Sequence, residues 1–245
     1  MNKALQEQRM ALAAAFRWAH RENWHEAVAN HFSLAVNDDG TQFLINPNMR
    51  HFSLITASEL LLLDANDQST LEQANAPDPT AWGLHGSIHR HCPHARCVLH
   101  VHSTYATVLA SLEDMVMPPI DQNTAQFYQR TVVDQHYGGM AFEEEGERCA
   151  AMLSDPSKKV MVMGNHGVLV LGSSVADALD RLSYFERSAK NYILALQTGR
   201  PLKILSHEIA EKTAQQWQDD FSVAAEAHFN QIVTILDRDE PDFRH

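Results

Sequence analysis

The chain has 245 residues, a formal net charge of −12, and no apolar run near the roughly 20 residues needed to span a bilayer. That acidity argues against general affinity for nucleic acid, which normally shows as a basic patch, and the N-terminus MNKALQEQRM lacks the apolar centre of a signal peptide, so a soluble cytoplasmic protein is expected. Three cysteines (Cys92, Cys97, Cys149) without C-x-x-C spacing fit a reducing compartment and read as packing residues. A single core of this size buries roughly 70–75% of the unfolded surface, so folding needs no disulfide. The unusual feature is 15 histidines, several of them close together, which directs attention to metal chemistry.

In chain order, Leu5, Leu12, Phe16, Trp18 and Ala19 recur at roughly helical spacing and predict an opening amphipathic helix over 4–21. The segments 31–36 and 42–46 flank Asn37-Asp38-Asp39-Gly40, whose Asp-Gly pair predicts a hairpin. Thr56 to Glu59 has the form of a capping box, although the leucines that follow fit a strand as well as a helix. Asp78-Pro79 opens a helix that runs to about His91. A buried strand spans Cys97 to Val101, and a helix runs from Thr104 to Ser111. A second strand, Val160 to Met163, breaks at Gly164-Asn165-His166-Gly167 and resumes as VLVLG. The apolar stripe from Val175 to Leu196 predicts a long helix, two more helices close the chain, and the end DRDEPDFRH is expected to be loose. With neither a repeat nor a low-complexity linker, the pattern predicts one α/β domain with a C-terminal helical extension.

Strand side chains alternate between faces, so His100 and His102 in VLHVHS point the same way, close enough to share one ion. His166 sits in a glycine-flanked break from which a side chain reaches a neighbouring strand, and it is the natural third ligand. Two hydrogen-bonded core histidines account for an H-x-H strand about as well on spacing alone. The H-x-H-x-D-H pattern of metallo-hydrolases is excluded, because the chain continues Ser103-Thr104-Tyr105.

RHCPHARCVLHVHSTYATVLAS followed by VMVMGNHGVLVLGSSVADALDRLSYFE resembles the class II aldolases and the head domain of adducin, over about residues 10–200. The resemblance implies a three-layer α/β fold, a mostly antiparallel central sheet with helices on both faces. The pattern along the chain divides it into a domain over 1–205 and a helical extension over 206–245. The resemblance also implies one divalent ion per chain on His100, His102 and His166, with zinc favoured and manganese, cobalt or iron as alternatives. A homotetramer with sites between subunits and a small-molecule substrate follow from the same likeness.

The chain departs from the sugar-phosphate aldolases at two places. Ala81 stands where they carry an acid/base glutamate, and Asn46-Pro47-Asn48-Met49 replaces their glycine-containing phosphate turn. Arg50 beside that turn is a candidate clamp for a substrate carboxylate, with a solvated arginine as the alternative. Asn30 and Gln122 are candidate substrate contacts, Tyr128 a candidate proton donor reaching a neighbouring site, and His85 a pocket residue with His89 at the surface. Glu186, on the apolar stripe of the long helix, is a candidate acid/base or support for a metal histidine. The expected activity is metal-dependent carbon–carbon lysis of a small keto or hydroxy acid through a stabilised enolate, by decarboxylation or aldol cleavage. A sugar-phosphate aldolase or epimerase, or a non-catalytic adducin-like scaffold, is the alternative.

Overall fold

The computed structural model describes residues 3–73, 76–137, 139, 143–220 and 222–245. After α1 (Lys3–Arg21), the strands β1 (His31–Ala35) and β2 (Gln42–Ile45) form the expected hairpin, with Gly40 at φ 84° in its turn. The capping box closes only a 3-10 turn over Ala57–Glu59, in which the Thr56 N–H donates to Glu59 at 3.0 Å, and the leucine run becomes β3 (Leu61–Asp64). α2 (Pro79–His91) starts as predicted: Asp78 Oδ1 accepts from the N–H groups of Thr80 and Ala81, the orphan donors of the first turn. Then come β4 (Cys97–Val101), α3 (Thr104–Ala110), α4 (Gln122–Gln126), β5 (Thr131–Asp134), α5 (Glu143–Met152), β6 (Val160–Met163), β7 (Gly167–Gly172), α6 (Val175–Gln197), α7 (His207–Asp220) and α8 (Ser222–Asp239).

Among the described residues the strands form one seven-stranded sheet in the order β3-β2-β1-β4-β7-β6-β5. Every pairing is antiparallel except β5 with β6, which are joined through α5, the long crossover that a parallel pair requires. The sheet lies between two helical layers. Leu99 and Val101 of β4 pack with Phe16 of α1 and Leu182 of α6, whereas Val98 packs with Leu84 of α2 and Leu153 after α5. The three cysteines are free and buried, and burial pushes the thiols of Cys92 and Cys149 up to about 11 and about 12, as befits packing residues.

α2 and α5 meet at a glycine contact. A Cβ on Gly146 would stand 2.1 Å from the Gly83 carbonyl oxygen, so the helices come closer than any side chain permits.

The C-terminal end is not loose. Phe229, Ile232 and Leu236 of α8, with Phe243 beyond it, join the larger core, and the buried Arg17 donates to Asp242 at 2.7 Å and to the Ile55 carbonyl at 2.9 Å. The charged string in DRDEPDFRH concealed an aromatic anchor and two carboxylates that reach a buried guanidinium. No described helix is long and apolar enough to cross a membrane.

Candidate metal centre

His100 lies on β4, paired opposite Leu169 of β7, and is 1% exposed, while His102 follows the strand end. The break before β7 brings His166 to them. Asn165 takes a left-handed φ of 56°, and a Cβ on Gly167 would lie 2.6 Å from the Val101 carbonyl and 2.8 Å from the His102 ring. The three imidazoles form a triangle with ring centroids 4.8–4.9 Å apart, and the Nε2 atoms of His100 and His102 are 3.0 Å apart. The outer nitrogens are held. His100 Nδ1 is 3.2 Å from the Val168 carbonyl and His102 Nδ1 is 2.5 Å from Glu26 Oε2, so each donates outward and leaves Nε2 free to ligate.

Burial, reinforced by the neighbouring imidazoles, depresses His100 well below the ordinary histidine value and His166 to about 4. The neutral form that burial favours is the form that binds a metal. His166 Nδ1 is buried without a hydrogen-bond partner among the described residues. Nitrogens on a tetrahedral zinc, each about 2.0–2.1 Å from it, stand about 3.3 Å apart, and this donor set fits such an ion.

The triangle opens on a cavity of about 340 Å³ whose wall includes His31, Asp78, Thr80 and Tyr137. No lysine or arginine lines it among the described residues. Three of its features escape pattern reading. Glu26 comes from the loop after α1, and nothing in its spacing marks a histidine partner. Asp78 reads as a helix cap, which it is, yet it also faces the cavity beside His31. Tyr137 has its ring centroid 6.1 Å from that of His166, and nothing in its spacing marks it as a cavity residue.

Several expected site residues have other tasks. Asn30 does not line the cavity; its Oδ1 accepts from the N–H groups of Glu26 at 2.7 Å and His102 at 3.4 Å, pinning the loop that delivers Glu26. The Arg50 guanidinium pairs with Glu59 at 2.7 Å and donates to the Leu54 carbonyl, so it is no carboxylate clamp within the chain. Glu186 accepts from Ser103 Oγ at 2.7 Å and from the N–H groups of Tyr105 and Ala106 at 2.8 and 2.9 Å. Its oxygens cap α3 directly after His102, where negative charge suits a helix N-terminus. Gln122 begins α4, and the Tyr128 hydroxyl lies 3.0 Å from His207 Nδ1 at α7; neither lines the histidine cavity of its own chain.

His85 and His89 are both buried, contrary to a surface place for His89 and a pocket place for His85. They extend a polar chain behind the cavity. The His31 ring stacks on His100, His31 Nδ1 is 2.8 Å from His85 Nε2, and Ser33 Oγ lies 2.5 Å from His85 Nδ1 and 2.7 Å from His89 Nε2. Desolvation lowers His31 and His89 to about 3, against about 6.5 in an unfolded chain. The unfolded state therefore takes up protons first, and stability fully present above about pH 6.5 is lost below it, by up to about 1.4 kcal/mol per pH unit for each such histidine. Urea unfolding of metal-stripped protein between pH 7.5 and 5 should show this fall, and His89→Leu should flatten it by one proton. A profile unchanged by His89→Leu would contradict the buried neutral state.

Residues 10–193 match the family model described as class II aldolase and adducin N-terminal domain. A solved structure of an aldolase II superfamily protein from Pseudomonas syringae superposes with a TM-score of 0.87 at 29% identity, covering 100% of this chain and 98% of that one. The decarboxylase NovR of Streptomyces niveus is 26% identical over 78% of this chain and 75% of its own length. An adducin-related protein of Schizosaccharomyces pombe is 28% identical over 91% of this chain and 68% of its own.

Proposed function

The chain belongs to the class II aldolase and adducin N-terminal domain family, and from that premise we propose that it is a divalent-metal-dependent carbon–carbon lyase that decarboxylates a small β-keto acid, with or without an α-hydroxyl. One observation carries the reading: three converging imidazoles open on a substrate-sized cavity, while Ala81 turns its methyl into the apolar cluster of Phe43 and Trp82. A divalent ion held by His100, His102 and His166, zinc first with manganese, cobalt or iron as alternatives, supplies Lewis acidity that favours negative charge on a substrate oxygen.

The chain's own groups do the rest. Glu26 and the Val168 carbonyl fix the tautomers of His102 and His100, and the stacked His31 closes the cavity floor. Aldol addition needs a base to take a proton from carbon, whereas loss of CO₂ leaves its electron pair on the substrate and asks only for a later proton. No glutamate stands at position 81 to act as that base, and Asp78, the carboxylate at the cavity wall, has Oδ1 bonded to the N–H groups of α2. The Tyr137 phenol stands at the cavity wall to return the proton. The decarboxylase name of the Streptomyces niveus relative supports the same chemistry. A homotetramer is part of this proposal, since Gln122 and Tyr128 reach a histidine cavity only when a neighbouring subunit presents them.

Metal-loaded protein incubated with β-keto and α-hydroxy-β-keto acids should release CO₂, and Tyr137→Phe should slow that release. Aldehyde without CO₂ would overturn decarboxylation and leave a lyase. Neither product, with the ion bound, would overturn the enzyme itself.

A further inference from the structure

Outside the cavity a second trio of imidazoles repeats the geometry of the first. His20 lies in the last turn of α1, His25 in the loop that follows, and His51 precedes a 3-10 turn over Phe52–Leu54. His25 Nε2 is 3.1 Å from His51 Nε2 and 3.4 Å from His20 Nδ1. The ring centroids stand 4.8–5.1 Å apart with interplanar angles of 71–83°. At His100, His102 and His166 the centroids are 4.8–4.9 Å apart and the angles 61–82°. We propose that His20, His25 and His51 form a second divalent-cation site, one that takes Zn²⁺ through three imidazole nitrogens.

Hydrogen bonding among the three rings accounts poorly for the arrangement. A neutral imidazole carries one N–H, so a proton on His25 Nε2 serves one partner well and the other weakly. Protonating a second ring sets like charges in contact. A single zinc ion accepts all three lone pairs, and ligand nitrogens about 2.0–2.1 Å from it stand about 3.3 Å apart, between the two separations observed. Imidazole nitrogen is a donor suited to this ion.

The outer environment also fits. With its proton on Nδ1, His51 donates to Ser53 Oγ at 2.7 Å and turns a bare Nε2 inward, at the expense of the longer contact in which Nδ1 accepts from the Ser53 N–H at 3.3 Å. The His25 ring stacks on Phe52 with centroids 5.3 Å apart. The three residues are half-buried, which leaves room for water or a further ligand at the fourth position of a tetrahedral ion. The nearest carboxylate influence on His20 is Glu240, whose oxygens are engaged by Arg21 at 2.6 Å and Arg17 at 3.4 Å.

The location gives the site a consequence. His25 immediately precedes Glu26, the carboxylate that orients His102. An ion clamping His25 to α1 and to the 51–54 turn fixes the loop from which Glu26 reaches the first trio. The second site therefore acts as a positioning device for the first, whatever reaction the first performs.

Metal counting on the full-length protein tests this independently of turnover. Protein stripped with chelator and reloaded with Zn²⁺ should hold about two ions per chain. His25→Ala, His51→Gln and His20→Gln should each hold about one, as should His100→Ala, and His51→Gln combined with His100→Ala should hold none. Reloading with Co²⁺ supplies a second readout, because visible absorption of a low-coordinate site should drop by about half in His51→Gln while circular dichroism stays that of the wild type. A wild type holding one ion that His51→Gln leaves in place overturns the second site. So does a wild type holding two ions that neither His51→Gln nor His20→Gln reduces.

Discussion

Replacing His100 by alanine should remove the cavity ion and lower turnover by at least about a thousandfold. A Lewis acid contributes several kcal/mol of charge stabilisation, and about 4 kcal/mol corresponds to that factor. His100 is the most completely enclosed of the three proposed ligands, being 1% exposed and tied through Nδ1 to the Val168 carbonyl. Glu26→Gln supplies the graded comparison. The amide still accepts a hydrogen bond from His102 but loses the charge that raises ligand basicity, and zinc affinity should fall about ten- to a hundredfold with the ion still loadable. Zinc titration of the two variants, beside CO₂ release, separates losing a ligand from loosening one. An unchanged rate in His100→Ala would remove the trio from the chemistry.

Gly146→Ala should destabilise the fold by at least about 3 kcal/mol, the upper part of the range for overpacking, because the new methyl meets backbone that cannot rotate away. The Cβ would lie 2.1 Å from the Gly83 oxygen, 2.7 Å from its carbonyl carbon and 2.8 Å from Ser87 Oγ. For a chain of this size that corresponds to a melting temperature lower by about 6–12 °C. Helix propensity predicts the opposite sign, since alanine in place of glycine favours a helix by about 1 kcal/mol. Gly86→Ala distinguishes the two influences. It sits in the same α2, its Cβ meets nothing closer than 3.5 Å, and it should be neutral or stabilising. Because α2 carries Asp78 and Thr80 to the cavity, Gly146→Ala should also impair turnover at temperatures where the protein is still folded.

Much of the sheet and its helices was legible in the sequence, since period and punctuation are local. Period-two alternation placed His100 and His102 on one face, and the glycine-flanked His166 had to leave a strand end. β5 was missed because four residues with two valines give too short a pattern to read as either period. What stayed hidden was every partner chosen across the fold. Glu186 appeared as an unexplained carboxylate on an apolar stripe, and its explanation, the N-terminus of α3, lies about eighty positions away. Arg50 suggested a substrate clamp only while its distance to Glu59 was unknown. His85 and His89 share a helix face, as their spacing indicates, but that face is buried against β1, where Ser33 lies between them. The second histidine trio left no signature, because residues 20, 25 and 51 match no ligand spacing until α1 and the 51–54 turn are packed together.

The pairing of β4 with β7 also sets an order of events during synthesis. His100 and the Val168 carbonyl that orients it are 68 residues apart in the chain. While β4 emerges from the ribosome, β1 is already available on one edge, but the strand on the other edge and the loop bearing His166 have not been made. A growing chain thus presents two histidines of a three-ligand set, one lacking the carbonyl that fixes its tautomer, and contacts so distant in sequence close late. On the proposed assignment, ion capture at this trio waits until β7 has been made and paired, and the choice among metals is made by a folded cavity, not by the two histidines of β4 alone.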